Sequence, residues 1–237
     1  MKRNQYRTGA FKWSFLQSAL AVSVVAAVAA VIVVGRVFTP AFSEGNEIKP
    51  TAAVVPVTAP AGRQVATLSG GCFWAMQAMF SMVKGVDSAG PGYAGGTTKD
   101  PTYEEVCTET TGYAETIQVI YDPKVVSYHD LLTMYFHAIN PTELNRQGDD
   151  EGTSYRSVIF YHDAAQKAEA EKTIAEVNAE HLYQQPIVTQ VMPYTGFYPA
   201  EAYHNNYFEH NPDTSYCQYV VAPKVAHFKA LYHDRLK

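Results

Sequence analysis

Residues 64–83 read QVATLSGGCFWAMQAMFSMV, and the rest of the chain is best read outward from them. The apolar start, Gln64 to Gly70, has the look of a short strand. The apolar positions Phe73, Met76, Phe80 and Val83 then recur at helical spacing. A strand therefore runs into Gly70 and Gly71, and a helix leaves from them. Cys72 falls at the junction, in the first helical turn. Unpaired backbone N–H groups and the helix dipole favour an anion there, which predicts a lowered thiol pKa. The two glycines let the backbone turn and leave space above the sulfur. A cysteine in an apolar segment is more often simple core; the Gly-Gly junction sets this one apart.

Downstream, 85–96 (GVDSAGPGYAGG) predicts a short strand closed by a glycine loop, and 115–123 (ETIQVIYDP) alternates as a strand ending at Pro123. Ser127 to Ile139 fits a helix with Ser127 as N-cap and Asp130 at the capping-box position, where Glu or Gln is usual. Residues 155–162 (YRSVIFYH) read as a strand, and Asp163 caps a helix ending near Leu182. Residues 187–193 form another strand, and Glu201 to His210 a short helical segment. This order predicts an α/β (α+β) two-layer sandwich with a mixed β-sheet and a ferredoxin-like core. The polar stretch 140–154 (NPTELNRQGDDEGTS) is a loop of the kind that carries sites. Its Asp149, Asp150 and Glu151 lack the spacing of a calcium loop.

Upstream, Lys2, Arg3, Arg7 and Lys12 precede an apolar run from Ala19 to Gly35. A basic flank before such a run predicts an apolar helix over 1–38 that serves as a membrane anchor or a signal peptide. The basic side stays in the cytoplasm, so the folded domain is expected outside it, on the periplasmic or extracellular side. The alternative is export with cleavage. Residues 39–63 read as a flexible linker, and 64–237 as the folded domain.

The whole chain has 237 residues, 47% of them hydrophobic and 17% charged, as in an ordinary globular protein. A formal net charge of -5, with no basic stripe beyond the first dozen residues, argues against nucleic-acid binding. Cys72, Cys107 and Cys217 are the three cysteines, and no two form a C-x-x-C pair. That disfavours thioredoxin-like and zinc-knuckle readings, and three is too few for a disulfide scaffold. The histidines show no HExxH pattern, so no metal site is expected.

Gly71-Cys72-Phe73-Trp74 resembles the GCFW signature of the A-type peptide methionine sulfoxide reductases. It is followed in order by Gly92-Tyr93-Ala94-Gly95-Gly96, by 101–107 (PTYEEVC) and by 111–115 (TGYAE). Then come 145–148 (NRQG), 150–157 (DEGTSYRS) and 197–204 (FYPAEAYH). The resemblance covers roughly residues 64–218. Departures are Gln77, where the family usually has Glu, Tyr113 for a histidine, Asn140 for an aspartate, and Ala202 for an aspartate.

The resemblance implies thiol-dependent reduction of the S epimer of methionine sulfoxide, free or in proteins. In this reading Cys72 is the nucleophile and Glu115 the acid that protonates the sulfoxide oxygen. Burial among aromatics would hold Glu115 partly protonated. Tyr103 and Tyr155 match the hydroxyls that bind the same oxygen, and Asp150 the carboxylate that orients the polar end. Phe73 and Trp74 match the wall that receives the S-methyl group. Placing the oxygen of the R epimer on that wall would cost about 1–3 kcal/mol. Attack leaves a Cys72 sulfenic acid. Cys217, taken to lie in a loop, matches the resolving cysteine that forms a disulfide with Cys72. Thioredoxin or a similar dithiol is the expected electron donor, with no bound cofactor. Oxidised proteins or peptides are the expected substrates, and the protein is expected to be a monomer. Cys107 is expected to be a buried structural thiol, and His204 to have a supporting role.

Two rivals remain at this stage. A cysteine hydrolase would need a histidine base and leaves Cys217 and the tyrosines without work. A membrane-anchored domain that binds oxidised methionine without turning it over draws only on Gln77.

Overall fold

A computed structural model describes residues 59–237. The expected apolar N-terminal helix and most of the expected linker lie outside the described residues. No helix among the described residues is long and apolar enough to cross a membrane.

Strand β1 (Gln64–Ser69) leads into helix α1 (Phe73–Ser81), as the first stretch predicts. Strand β2 (Val86–Ala94), the short helix α2 (Tyr103–Val106) and strand β3 (Ala114–Tyr121) follow. Helix α3 (Tyr128–Ala138) begins at a closed capping box. The Asp130 N–H donates to Ser127 Oγ at 3.0 Å and the Ser127 N–H to Asp130 Oδ2 at 3.1 Å. An aspartate thus suffices where Glu or Gln is usual. A two-residue hairpin, β4 (Arg146–Gln147) and β5 (Asp150–Glu151), lies within the polar loop. Strand β6 (Val158–Tyr161) precedes helix α4 (Ala164–Ala179), whose N-cap Asp163 accepts from the Gln166 N–H at 2.8 Å. Strands β7 (Gln190–Pro193) and β8 (Phe197–Pro199) complete the sheet.

The sheet order is β7-β6-β1-β3-β2-β8, antiparallel throughout except for the parallel pair β6 and β7. It is a mixed sheet with flanking helices, as expected. The core joins Leu68, Ile117 and Val119 of the sheet to Met76 and Phe80 of α1, and to Leu132 and Phe136 of α3. Five consecutive buried residues in β1, Val65 to Ser69, show that this central strand is covered on both faces.

Several expectations change; the strand expected from Ile187, for one, begins only at Gln190. The strand expected from Tyr155 begins only at Val158, because Thr153–Tyr155 forms a 3₁₀ turn. The helical segment 201–210 breaks into a 3₁₀ turn, Ala202–His204, and helix α5 (Tyr207–His210), because Asn206 adopts a left-handed φ of 53° between them. Cys217 is not in a loop. It starts a π-helical turn, Cys217–Val221, that continues into helix α6 (Ala222–Tyr232). Pro223 is tolerated because it lies in the first turn of α6, where its missing N–H is no loss.

Candidate active site

Cys72 occupies the N-cap of α1, one residue before the expected first turn. Gly71 before it has φ +81°, and a Cβ there would stand 2.8 Å from the Gln147 side chain. Only glycine makes this turn and leaves room for the hairpin. The Gly71 N–H donates to the Tyr155 carbonyl at 3.2 Å, which ties the turn to the 3₁₀ segment.

The Cys72 thiol is 5% exposed, and burial pushes its pKa up rather than down. The charges of Glu115 and Asp150 push the same way, while the Tyr216 hydroxyl and the Trp74 backbone N–H oppose them. The helix-end donors expected to lower the pKa are therefore present, but desolvation outweighs them. The resting residue is a thiol.

Glu115 reaches the same point from β3. Its Oε2 accepts the Phe73 N–H at 2.8 Å, in the first turn of α1. Only 3% exposed, it has its pKa pushed up to about 8 by burial; the Phe73 bond lowers it, and the charges of Asp150 and Glu109 raise it. At neutral pH it is mostly protonated. The hydroxyl pKa values of Tyr103 and Tyr155 are both raised, first by burial and next by the charge of Glu115. The two tyrosines, the acid and the thiol therefore share one electrostatic environment.

Each tyrosine is braced. The Tyr103 N–H donates to Glu201 Oε1 at 2.8 Å, and the Tyr93 hydroxyl donates to Glu201 Oε2 at 2.8 Å. The turn that carries Tyr155 is held by Glu109, which accepts from Thr153 Oγ1 at 2.7 Å and from the Ser154 N–H at 2.9 Å. Burial opposes ionisation of Glu109, but the bonds from Ser154 and Thr153 prevail and hold its pKa low.

Phe73 and Trp74 form a wall, their ring centroids 6.5 Å apart. Phe73 also stacks on Tyr103 at 6.3 Å. Two further aromatics that the sequence reading did not single out extend this wall. Tyr207 stacks on Trp74 at 3.7 Å, and Tyr216 meets it edge-on at 5.6 Å. Tyr216 lies next to Cys217 in the chain and Tyr207 is three residues past His204; those neighbourhoods were the available signal. Asp150 is buried. It accepts the Tyr216 hydroxyl at 2.9 Å and has Lys224 Nζ at 3.5 Å. Tyr216 thus lies within hydrogen-bond reach of both Asp150 and the Cys72 sulfur.

Cys217 is fully buried, and all three cysteines are free thiols. Cys107 is exposed, contrary to the expectation of a buried structural thiol, and it hydrogen-bonds the Tyr103 hydroxyl. Helix α2 is a single turn with one buried residue, Val106, so the position after it faces outward. Among the described residues no cluster of three or more His, Cys, Asp or Glu is placed to hold a metal ion.

Of the family departures, Gln77 has a structural explanation, and the others show their surroundings. Gln77 is buried, donates to the Ala89 carbonyl at 2.9 Å and accepts the Asn206 N–H at 2.8 Å. An ionised glutamate has no proton for Ala89, so the amide is the side chain that satisfies both partners. The Tyr113 hydroxyl donates to the Thr98 carbonyl at 2.8 Å. Asn140 Oδ1 accepts from the Thr142 N–H at 3.1 Å and its hydroxyl at 2.7 Å, a role an aspartate would fill equally. Ala202 is exposed and starts its 3₁₀ turn without a side-chain cap.

A buried thiol, a protonated carboxyl, two tyrosines coupled to that carboxyl and an aromatic wall stand in one region. Comparison with known proteins points the same way. The family model described as peptide methionine sulfoxide reductase matches residues 64–236. A peptide methionine sulfoxide reductase MsrA of Picrophilus torridus is 52% identical over 161 residues, 68% of this chain and 90% of the relative. One from Saccharolobus solfataricus is 46% identical over 174 residues, 73% of this chain and 97% of the relative. Among solved structures, reduced Mxr1 of Saccharomyces cerevisiae superposes with a TM-score of 0.61 at 35% identity, over 67% of this chain and 91% of that one. Methionine sulfoxide reductase A of Corynebacterium diphtheriae gives 0.58 at 32% identity, over 65% of this chain and 77% of that one. With its fold, its Cys72 turn and these relatives in agreement, the chain belongs to the peptide methionine sulfoxide reductase family.

Proposed function

We propose that the protein reduces the S epimer of methionine sulfoxide in oxidised proteins and peptides, with Cys72 as nucleophile. The observation that carries this reading is Glu115: a buried carboxyl with a pKa of about 8, fixed to the N–H of the residue after Cys72. A sulfoxide oxygen leaves sulfur only when protonated, and here a protonated acid adjoins the thiol. Tyr103 and Tyr155 donate to the oxygen as its charge grows. Phe73 and Trp74 receive the methyl group, and Asp150 orients Tyr216 beside the sulfur.

In the first step the Cys72 sulfur attacks the sulfoxide sulfur as Glu115 protonates the oxygen, and the thiol proton replaces the one Glu115 gave. The hydroxyl then passes to Cys72 and the sulfide departs with the electron pair of the broken S–S bond. Thiol plus sulfoxide becomes sulfenic acid plus methionine. Cys217 then attacks the sulfenic sulfur, a Cys72–Cys217 bond forms, and water leaves. A dithiol such as thioredoxin reduces that disulfide and is itself oxidised. Cys217 is buried at the head of a helical segment and directly follows Tyr216, whose hydroxyl hydrogen-bonds Cys72.

The basic flank and apolar run before residue 38 support a membrane anchor, with the domain outside the cytoplasm. Fractionation that finds the natural protein in the cytosol would sink that part. For the activity, the decisive assay is reduction of separated S and R epimers of a methionine sulfoxide peptide by the full-length chain with dithiothreitol. Turnover of S alone is expected. Turnover of R alone, or of neither by a folded protein, would overturn the reading.

A further inference from the structure

Glu109 is a non-glycine residue with φ +62°, a left-handed conformation that an L side chain keeps only where its surroundings impose it. It lies three residues beyond α2, the single turn that carries Tyr103. Its N–H donates to the Val106 carbonyl at 3.0 Å, which fixes its backbone to that helix. Its carboxylate reaches across to the other tyrosine. The Thr153 hydroxyl donates to Oε2 at 2.7 Å, the Ser154 N–H to Oε2 at 2.9 Å and the Ser154 hydroxyl to Oε1 at 2.6 Å. These two residues lead directly into Tyr155. Gly152 makes room for the carboxylate, since a Cβ there would collide with Glu109 Oε1. Arg156, on the other side of Tyr155, donates to the Thr153 carbonyl at 2.7 Å and to the Gly112 carbonyl at 2.9 Å. Three bonds to one charged group thus hold a backbone that glycine would adopt more easily.

We infer that Glu109 is a positioning residue that sets the spacing of the two oxygen-binding hydroxyls, as a strut between the helix of Tyr103 and the turn of Tyr155. This inference rests on the reading of those tyrosines as the pair that holds the sulfoxide oxygen. Charge gathers on that oxygen only as its bond to sulfur breaks. Two donors stabilise it only if both already point to where it will lie. Helix α2 is one turn long and Thr153–Tyr155 is one 3₁₀ turn, and elements so short do not hold their own geometry. Each tyrosine therefore needs an external brace, and Glu109 braces one against the other. An amide can take over the same bonds. The glutamine oxygen accepts from Thr153 and the Ser154 N–H, and its NH₂ donates to the Ser154 hydroxyl, which reverses its role.

Two measurements on the full-length chain test this. The first is amide hydrogen exchange, which needs no activity. Exchange at Ser154 should quicken by about tenfold in Glu109→Gly, the worth of one hydrogen bond, and stay within about threefold of wild type in Glu109→Gln. Equal exchange in all three would remove the strut. The second is S-epimer turnover. Glu109→Gly should lose about tenfold in kcat/KM, chiefly in kcat because the two hydroxyls act together only in the transition state. Glu109→Gln should recover most of that loss. In a Tyr155→Phe background the glycine change should cost no more than about twofold, since only one hydroxyl then remains to be aimed. An undiminished loss there, or no recovery with glutamine, would mean that Glu109 only supports the fold. Should Glu109→Gly fail to fold, Thr153→Val with Ser154→Ala removes two of the three bonds from the opposite end and carries the same expectations for turnover. Full activity in Tyr155→Phe would overturn the oxygen reading and this role with it. Absence of turnover in folded wild type would fail the proposed function, and the exchange result would still decide whether the strut exists.

Discussion

Cys72 and Cys217 are both buried thiols, yet their surroundings differ in kind. Cys72 sits where a strand turns into a helix, with the Trp74 N–H and the Tyr216 hydroxyl in reach and two carboxylates nearby. Cys217 opens a π-helical turn, fully buried, with Val221, Val225 and Phe228 continuing its apolar face. Burial alone makes a thiol inert. What distinguishes the first cysteine is the protonated carboxyl of Glu115, fixed to the N–H of the next residue.

The largest effect that bears on this contrast is loss of the first thiol. Cys72→Ser should lower S-epimer turnover by about 10³-fold or more, as removal of a nucleophile does; residual turnover near wild type would shift the chemistry to another cysteine. Next comes the acid. Glu115→Gln should lower kcat/KM by about 10²- to 10³-fold in a stopped assay, the usual worth of a general acid. With Glu115 at about 8, the wild-type rate should fall as pH rises through that value, and the alkaline limb should vanish in the variant. The same shift bears on stability. The folded pKa lies above the ordinary 4.5, so Glu115's contribution is full below about 4.5 and is lost as pH rises toward 8. Denaturant melts should therefore find Glu115→Gln more stable than wild type at pH 8.5, by about 1–4 kcal/mol.

Cys217→Ser sharpens the comparison from the other side. It should leave the first turnover intact, with one methionine formed per protein. Multiple turnover with thioredoxin should fall by roughly 10- to 100-fold. Mass spectrometry of the wild type after one turnover should show Cys72 and Cys217 joined; a mixture lacking that bond would remove Cys217 from the cycle. The smallest effect concerns the family departure beneath the nucleophile. Gln77→Glu should change turnover less than about threefold but destabilise the fold by about 1–2 kcal/mol, since Ala89 loses its donor. The loss should shrink in acid, where a protonated glutamate can donate again. Unchanged melts at neutral pH would show that the amide is not the reason for glutamine there.

Much of this site can be read before any coordinates, because its signals are local. Gly70, Gly71 and the spacing of Phe73, Met76 and Phe80 specify a strand, a turn and a helix within twenty residues of chain. Ser127 and Asp163 mark helix starts by capping their own first turns. The family signatures add Glu115, Tyr103, Tyr155 and Asp150. The C-terminal helix escaped because Pro223 reads as a break, although Cys217, Val221, Val225 and Phe228 recur at helical spacing. Cys107 was misjudged since a thiol's residue type favours burial, while its place at the end of a one-turn helix turns it outward.

The amino-acid order settles what depends on near neighbours: the turn that presents Cys72, the helix caps and the strands. Properties that depend on distant parts of the chain required the folded molecule. The Cys72 pKa is one: from the helix end alone it should fall, but burial and the charges of Glu115 and Asp150 raise it. The Trp74–His204 bond joins positions 130 apart, Tyr216 meets Asp150 across 66, and Gln77 reaches Asn206 across 129. Desolvation and long-range hydrogen bonds are sums over everything that packs around a group, and no window of sequence contains that sum.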